Sequence, residues 1–77
     1  MIGAYVLIQT QVGKADQVAR DLGGLDGVLS AEQVTGPYDI VVRTEAPSLD
    51  ELGRLVATGI QAVEGITRTI TCAVVSL

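Results

Sequence analysis

The chain has 77 residues, with five Lys or Arg against nine Asp or Glu, no histidine and one cysteine. That length allows one small domain, spanning 1–77, whose core alone supplies no more than about 3–5 kcal/mol of net stability. A single cysteine excludes an intrachain disulfide, the lack of histidine argues against zinc, and a net charge of −4 argues against a phosphate-neutralising surface.

The N-terminal run MIGAYVLIQT carries no basic leader and no small-residue cleavage site, so it does not read as a signal peptide. The apolar runs of the chain are short, well under the roughly 18 residues that a bilayer requires. A cytoplasmic protein with a reduced thiol is expected. Ala4 to Val12 is apolar and β-branched before it turns polar, and it predicts a central first strand ended by Gly13. KADQVARDLGGL follows, with Ala15, Val18, Ala19, Leu22 and Leu25 at helical spacing. Gly23-Gly24 is expected to end this helix, because glycine enters the left-handed region cheaply.

Gly27 to Thr35 predicts a second strand, the most polar of the set and therefore an edge. YDIVVRTEA predicts the third, centred on Ile40, Val41 and Val42. Pro47-Ser48 opens a second helix, where Ser48 and Glu51 fit a capping box. Leu49, Leu52, Val56, Ile60 and Val63 form its apolar stripe, and Glu64-Gly65 ends it. Gly59 inside that helix costs about 1 kcal/mol against alanine, for which close packing on the sheet is one reason. ITRTITCAVVSL predicts the fourth strand.

The order is βαββαβ. Leu25-Asp26-Gly27-Val28 and Val63-Glu64-Gly65-Ile66 leave the two helices in the same pattern of apolar, acid, glycine and β-branched residues. Two βαβ halves joined by a turn predict an α+β, ferredoxin-like fold, a four-stranded antiparallel sheet with both helices on one face. In the fourth strand Ile70, Cys72 and Val74 are assigned to the helix-covered core, and Thr67, Thr69, Thr71, Ala73 and Val75 to the open face. An open face of that composition predicts a homodimer packed sheet to sheet.

Enzyme chemistry is poorly represented. Histidine, the commonest general base, is missing. The serines lack a nucleophile-elbow context, and the glycines form no phosphate-binding loop. Cys72 reads as a buried structural thiol. No catalytic residue, metal or cofactor is expected. The stretch Thr35-Gly36-Pro37-Tyr38-Asp39 is richer than a hairpin needs. It has two readings: a tight connection in which Asp39 caps its own backbone, or a site where Asp39 meets a ligand ammonium while turn amides hold its anionic end. Thr69 and Thr71 are either ordinary strand residues or the polar lining of a pocket at a subunit junction. The helix charges, such as Asp16, Arg20, Asp50 and Arg54, read as solvated faces with (i, i+4) pairing.

The run Val34-Thr35-Gly36-Pro37-Tyr38-Asp39, with Gly65-Ile66-Thr67-Arg68-Thr69-Ile70-Thr71 after the second helix, resembles the C-terminal effector domain of the Lrp/AsnC transcription regulators, also called the RAM domain. The likeness spans essentially the whole chain, with Glu64 where that family usually has proline. The resemblance implies a βαββαβ unit that dimerises through its sheet and assembles further. It also implies amino-acid binding between dimers near Gly36, Tyr38 and Asp39, with Thr69 and Thr71 as further contacts. Regulators of that family carry an N-terminal helix-turn-helix, whereas this sequence begins almost at the first strand. A stand-alone effector domain is therefore expected, without direct nucleic-acid or membrane binding, acting through full-length relatives. The alternatives are a purely structural interaction module and a small dimeric α+β-barrel enzyme.

Overall fold

The computed structural model describes residues 1–75. Its elements are β1 (Ile2–Thr10), α1 (Ala15–Gly23), β2 (Val28–Gln33), β3 (Ile40–Ala46), α2 (Leu49–Arg54), a π-helical segment (Leu55–Ile60) and β4 (Ile66–Ala73). The predicted βαββαβ order holds, and the sheet is antiparallel throughout in the order β2-β3-β1-β4. Both β2 and β4 are edges. The first strand begins earlier and ends earlier than expected, leaving Val12 fully exposed. The C-terminal end of the fourth predicted strand, residues 76–77, lies outside the described residues.

The core follows from side-chain alternation in the two central strands. Ala4, Val6 and Ile8 of β1 and Ile40, Val42 and Thr44 of β3 all point to the helix side and are fully buried. Against them pack Val18 and Leu22 of α1, Leu52 of α2 and Ile60 of the π-helical segment. Thr44, the buried polar residue of this face, donates its hydroxyl to the Ala4 carbonyl at 3.1 Å, so its burial leaves no unmet group. Leu49, placed on the stripe of the second helix by its spacing, is 67% exposed.

The second helix differs from expectation in form. Ser48 caps it by accepting from the Glu51 amide at 3.2 Å. After Arg54 the chain widens into π-helical geometry and stops at Ile60, short of Glu64. Gly59 lies against the Leu25 side chain, which leaves α1, rather than against the sheet. Helix α1 also ends differently: Gly24 keeps a right-handed φ of −89°, and its amide reaches the Asp21 and Leu22 carbonyls. In α1 the expected (i, i+4) partners bond elsewhere: Asp16 accepts from Gln33 at 2.6 Å and Arg20 donates to Gln17 at 3.1 Å.

The repeated helix exits are structurally equivalent. Gly27 and Gly65 have φ of 92° and 100°. Each lends its carbonyl to the strand beside it, Gly27 to the Glu45 amide at 2.9 Å and Gly65 to the Gln11 amide at 2.8 Å. A Cβ on Gly65 would stand 3.0 Å from Val18 Cγ2 and 3.2 Å from Lys14 Cβ. Left-handed geometry costs a side chain roughly 1–2 kcal/mol. Gly65→Ala is therefore expected to lower the unfolding free energy in urea by about 1–3 kcal/mol. Gly53→Ala, at an exposed helical position with nothing near its Cβ, should leave stability unchanged or raise it by up to about 1 kcal/mol.

Candidate functional site

The turn between β2 and β3 is pinned to the end of β1 by side chains. Asp39 Oδ2 accepts from the Thr10 amide at 2.8 Å and from the Thr10 hydroxyl at 3.2 Å. The Asp39 amide donates to the Ile8 carbonyl at 2.8 Å, and its carbonyl accepts from the Val34 amide at 2.9 Å. Gln9 Nε2 reaches the Pro37 carbonyl at 2.8 Å. Asp39 thus does not cap its own backbone; it ties the turn to a strand 29 residues away in sequence. The sequence reading missed Thr10 and Gln9. Their signal was the break from apolar to polar at Ile8-Gln9-Thr10, where a strand end needs partners for its last amides.

This tie leaves the rest of the turn free. Thr35, Gly36 and Pro37 are exposed, while Tyr38 and Asp39 are half-buried. Gly36 has a φ of 146°, and nothing stands near its missing Cβ. Among the described residues, the amides of Thr35, Gly36 and Tyr38 and the second carboxylate oxygen of Asp39 have no hydrogen-bond partner. The turn therefore presents adjacent donors and one acceptor oxygen held in place by its sister atom.

The two threonines occupy different places, and both differ from expectation. In β4, Thr69 pairs with Ile8, Thr71 with Val6 and Ala73 with Ala4. Cross-strand partners share a face, so this row lies on the helix side, not on the open face. Gln61, from the second helical arm, donates to the Thr69 hydroxyl at 3.2 Å. Cys72 pairs with Tyr5 on the open face and is exposed, which corrects its placement in the core. Ile70 belongs to the same open row, paired with Leu7, and the Val74 amide bonds to Gly3 beside it. The physical reason is a bulge. Gln9 pairs with Arg68 and Thr10 with Ile66, so Thr67 is an extra residue and the parity of the strand changes there.

Thr69 lines an open recess of about 360 Å³ with Gln61, Ile66, Thr67 and Arg68. Thr10 links this recess to the turn, since it bonds Asp39 on one side and pairs with Ile66 on the other. Thr71 lies apart, in a second recess of about 330 Å³ with Leu49, Leu52, Gly53, Val56 and Ala73. The fold thus gathers Thr35, Gly36, Pro37, Tyr38, Asp39 and Thr69 at one end of the sheet and leaves Thr71 elsewhere.

The Lrp/AsnC ligand binding domain profile matches residues 3–77, and the chain belongs to that family. TTHA0845 from Thermus thermophilus is 32% identical with a TM-score of 0.94, and the alignment covers 100% of this chain and 96% of that one. AsnC of E. coli is 26% identical with a TM-score of 0.91, covering 99% of this chain and 52% of that one. An uncharacterised HTH-type transcriptional regulator of Pyrococcus horikoshii, PH1916, is 29% identical over 75 residues, which is 88% of this chain and 47% of that protein. The chain spans about half the length of the curated regulators it matches. Family and relatives support a ligand-sensing regulatory module.

The geometry separates two roles of Asp39. Asp39→Ala removes the acceptor of two Thr10 bonds and strands the Thr10 amide, so it should cost roughly 1–3 kcal/mol in urea unfolding. Asp39→Asn keeps an acceptor oxygen and should cost less than about 1 kcal/mol. An Asp39→Ala protein as stable as wild type would show that the tie does not form.

Proposed function

We propose that this chain is an amino-acid-sensing oligomerisation module that regulates through assembly with copies of itself or with full-length Lrp/AsnC relatives. The observation that carries the reading is the turn: three unpartnered amides and one unengaged carboxylate oxygen, in a segment held rigid from below by Thr10 and Gln9. Such a set suits both ends of a zwitterion, amides for the carboxylate and Asp39 for the ammonium. Thr69 and the adjoining recess offer room for a side chain, whereas Thr71 has no part in this version of the site.

The site is shallow in a single copy, so a second subunit is needed to close it. Dimerisation through the open sheet face supplies the first assembly step. That face carries Tyr5, Leu7, Val41, Ile70, Cys72 and Val74 without a helix over it. Ligand affinity then differs between assembly states, which is what makes binding regulatory. Action through protein partners fits a net charge of −4 and five scattered cations better than direct DNA contact does. Catalysis has no part in the reading, and neither does a cofactor. Among the described residues no helix is long and apolar enough to cross a membrane.

One observation favours a second reading, a purely structural interaction module: the Asp39 carboxylate is already engaged by Thr10. The two readings part in a thermal-shift panel of the twenty amino acids with light-scattering mass on the same samples. Sensing predicts that one amino acid or a small group, at about 100 times its Kd, raises Tm by on the order of 10 °C and changes the mass. Asp39→Asn should stay folded and lose that response. A panel in which no amino acid moves either quantity leaves only the structural module.

A further inference from the structure

The recess beside the turn is walled by hydrogen-bond donors. Gln61, Ile66, Thr67, Arg68 and Thr69 enclose about 360 Å³, and no acidic side chain is among them. Thr67 and Thr69 bring hydroxyls, Gln61 brings a carboxamide, and Arg68 brings a permanent positive charge with donors in a planar fork. Gln61 already donates to the Thr69 hydroxyl at 3.2 Å, which steadies that wall. Other arginines of the chain are occupied: Arg43 lies over the Tyr5 ring at 4.8 Å, and Arg20 donates to Gln17 at 3.1 Å. Among the described residues the Arg68 guanidinium makes no hydrogen bond.

Two residues at the end of β1 set this cation against the turn. Gln9 is the cross-strand partner of Arg68, and its Nε2 reaches the Pro37 carbonyl at 2.8 Å. Thr10 pairs with Ile66 and bonds the Asp39 carboxylate at 2.8 Å. The turn stands on the β3 side of β1 and Arg68 on the β4 side, so about two strand spacings, roughly 10 Å, separate them. A ligand whose α-carbon groups rest on the turn sends its side chain across the end of β1, towards Arg68. The long arginine stem closes the rest of that gap.

Building on the amino-acid site proposed above, we infer that its ligand is an acidic amino acid and that Arg68 reads the side-chain carboxylate. Each charged end of the ligand then has its own partner. Asp39 takes the ammonium, the turn amides take the α-carboxylate, and Arg68 takes the second carboxylate through two parallel bonds. An apolar amino acid leaves Arg68 unmatched when the site closes, and an unpaired charge shut away from water is costly. A basic amino acid brings a like charge against it. Glutamine and asparagine match the acids in shape and differ in charge, so their rejection falls to the guanidinium.

Titration calorimetry on the whole chain tests this, with L-glutamate, L-aspartate, L-glutamine, L-asparagine, L-leucine and L-lysine as probes. Glutamate or aspartate should bind about tenfold or more tightly than its own amide, and than leucine or lysine. Arg68 is exposed, so Arg68→Gln should fold with an unchanged urea midpoint, and it should bring the acid-to-amide preference down to near one. Arg68→Lys keeps the charge without the fork, and its preference should fall between the two. Any other amino acid that binds as tightly as the better acid overturns this inference and leaves an amino-acid site standing. An acid preference that survives Arg68→Gln overturns the role of Arg68. If none of the twenty amino acids binds, this inference and the sensing reading beneath it fall together.

Discussion

The alternation of side chains along β1 is the constraint on which the rest of the structure depends. β1 is central in the sheet, so both of its faces must be dealt with. Its even-numbered residues, Ala4, Val6 and Ile8, are fully buried under the helices. Its odd-numbered residues, Gly3, Tyr5, Leu7 and Gln9, line a face that no helix covers. Small volume at Ala4, opposite Thr44 and Ala73, lets α2 approach through Leu52. A domain of this size buries only about 60–65% of its unfolded surface, so leaving Tyr5, Leu7, Val41 and Ile70 in water forgoes a large share of the available hydrophobic stabilisation. A partner on that face is the simplest remedy, and a second copy needs no other gene product.

The end of the same strand organises the candidate site. Thr10 has pairing on both sides, with Asp39 beyond β3 and with Ile66 across the bulge. That double role joins the turn at 35–39 to the recess lined by Thr69 and Arg68. Holding Asp39 through one oxygen fixes the other and orders the turn without consuming its amides. Preorganisation of this kind reduces what a small ligand must lose on binding. The same bonds also stabilise the empty domain, so the residue is doubly constrained, and only a substitution that keeps an acceptor can separate its roles.

Much of this architecture was readable from local pattern. The βαββαβ order came from periodicity, and the two halves from a repeated helix exit whose glycines, Gly27 and Gly65, do sit at positive φ. The polar second strand is an edge. What failed was parity in the last strand. Ile66 packs on the core, and counting by twos from it sends Ile70 and Cys72 inward. One extra residue at Thr67 inverts that count, and a one-residue shift moves a whole strand face to face. Nothing in Ile-Thr-Arg-Thr announces a bulge, since bulges arise from pairing with another strand. The site was half readable for a similar reason. The turn is a contiguous motif, whereas its anchors Thr10 and Gln9 are distant in sequence and ordinary in type. Thr71 is grouped with Thr69 by strand alternation and by the family resemblance, yet the two line different recesses.

Regulation by assembly, on this account, begins with the open face being sheltered by another copy. Cys72 is a natural reporter, because it is the chain's one thiol and lies on that face beside Tyr5. The most direct measurement is the rate at which an aromatic disulfide reagent modifies Cys72 as protein concentration is varied. The account predicts a slow reaction at high concentration that accelerates on dilution, and a fast, concentration-independent one in a Leu7→Asp variant. A wild-type thiol that reacts as freely as a small-molecule thiol at every concentration would contradict it.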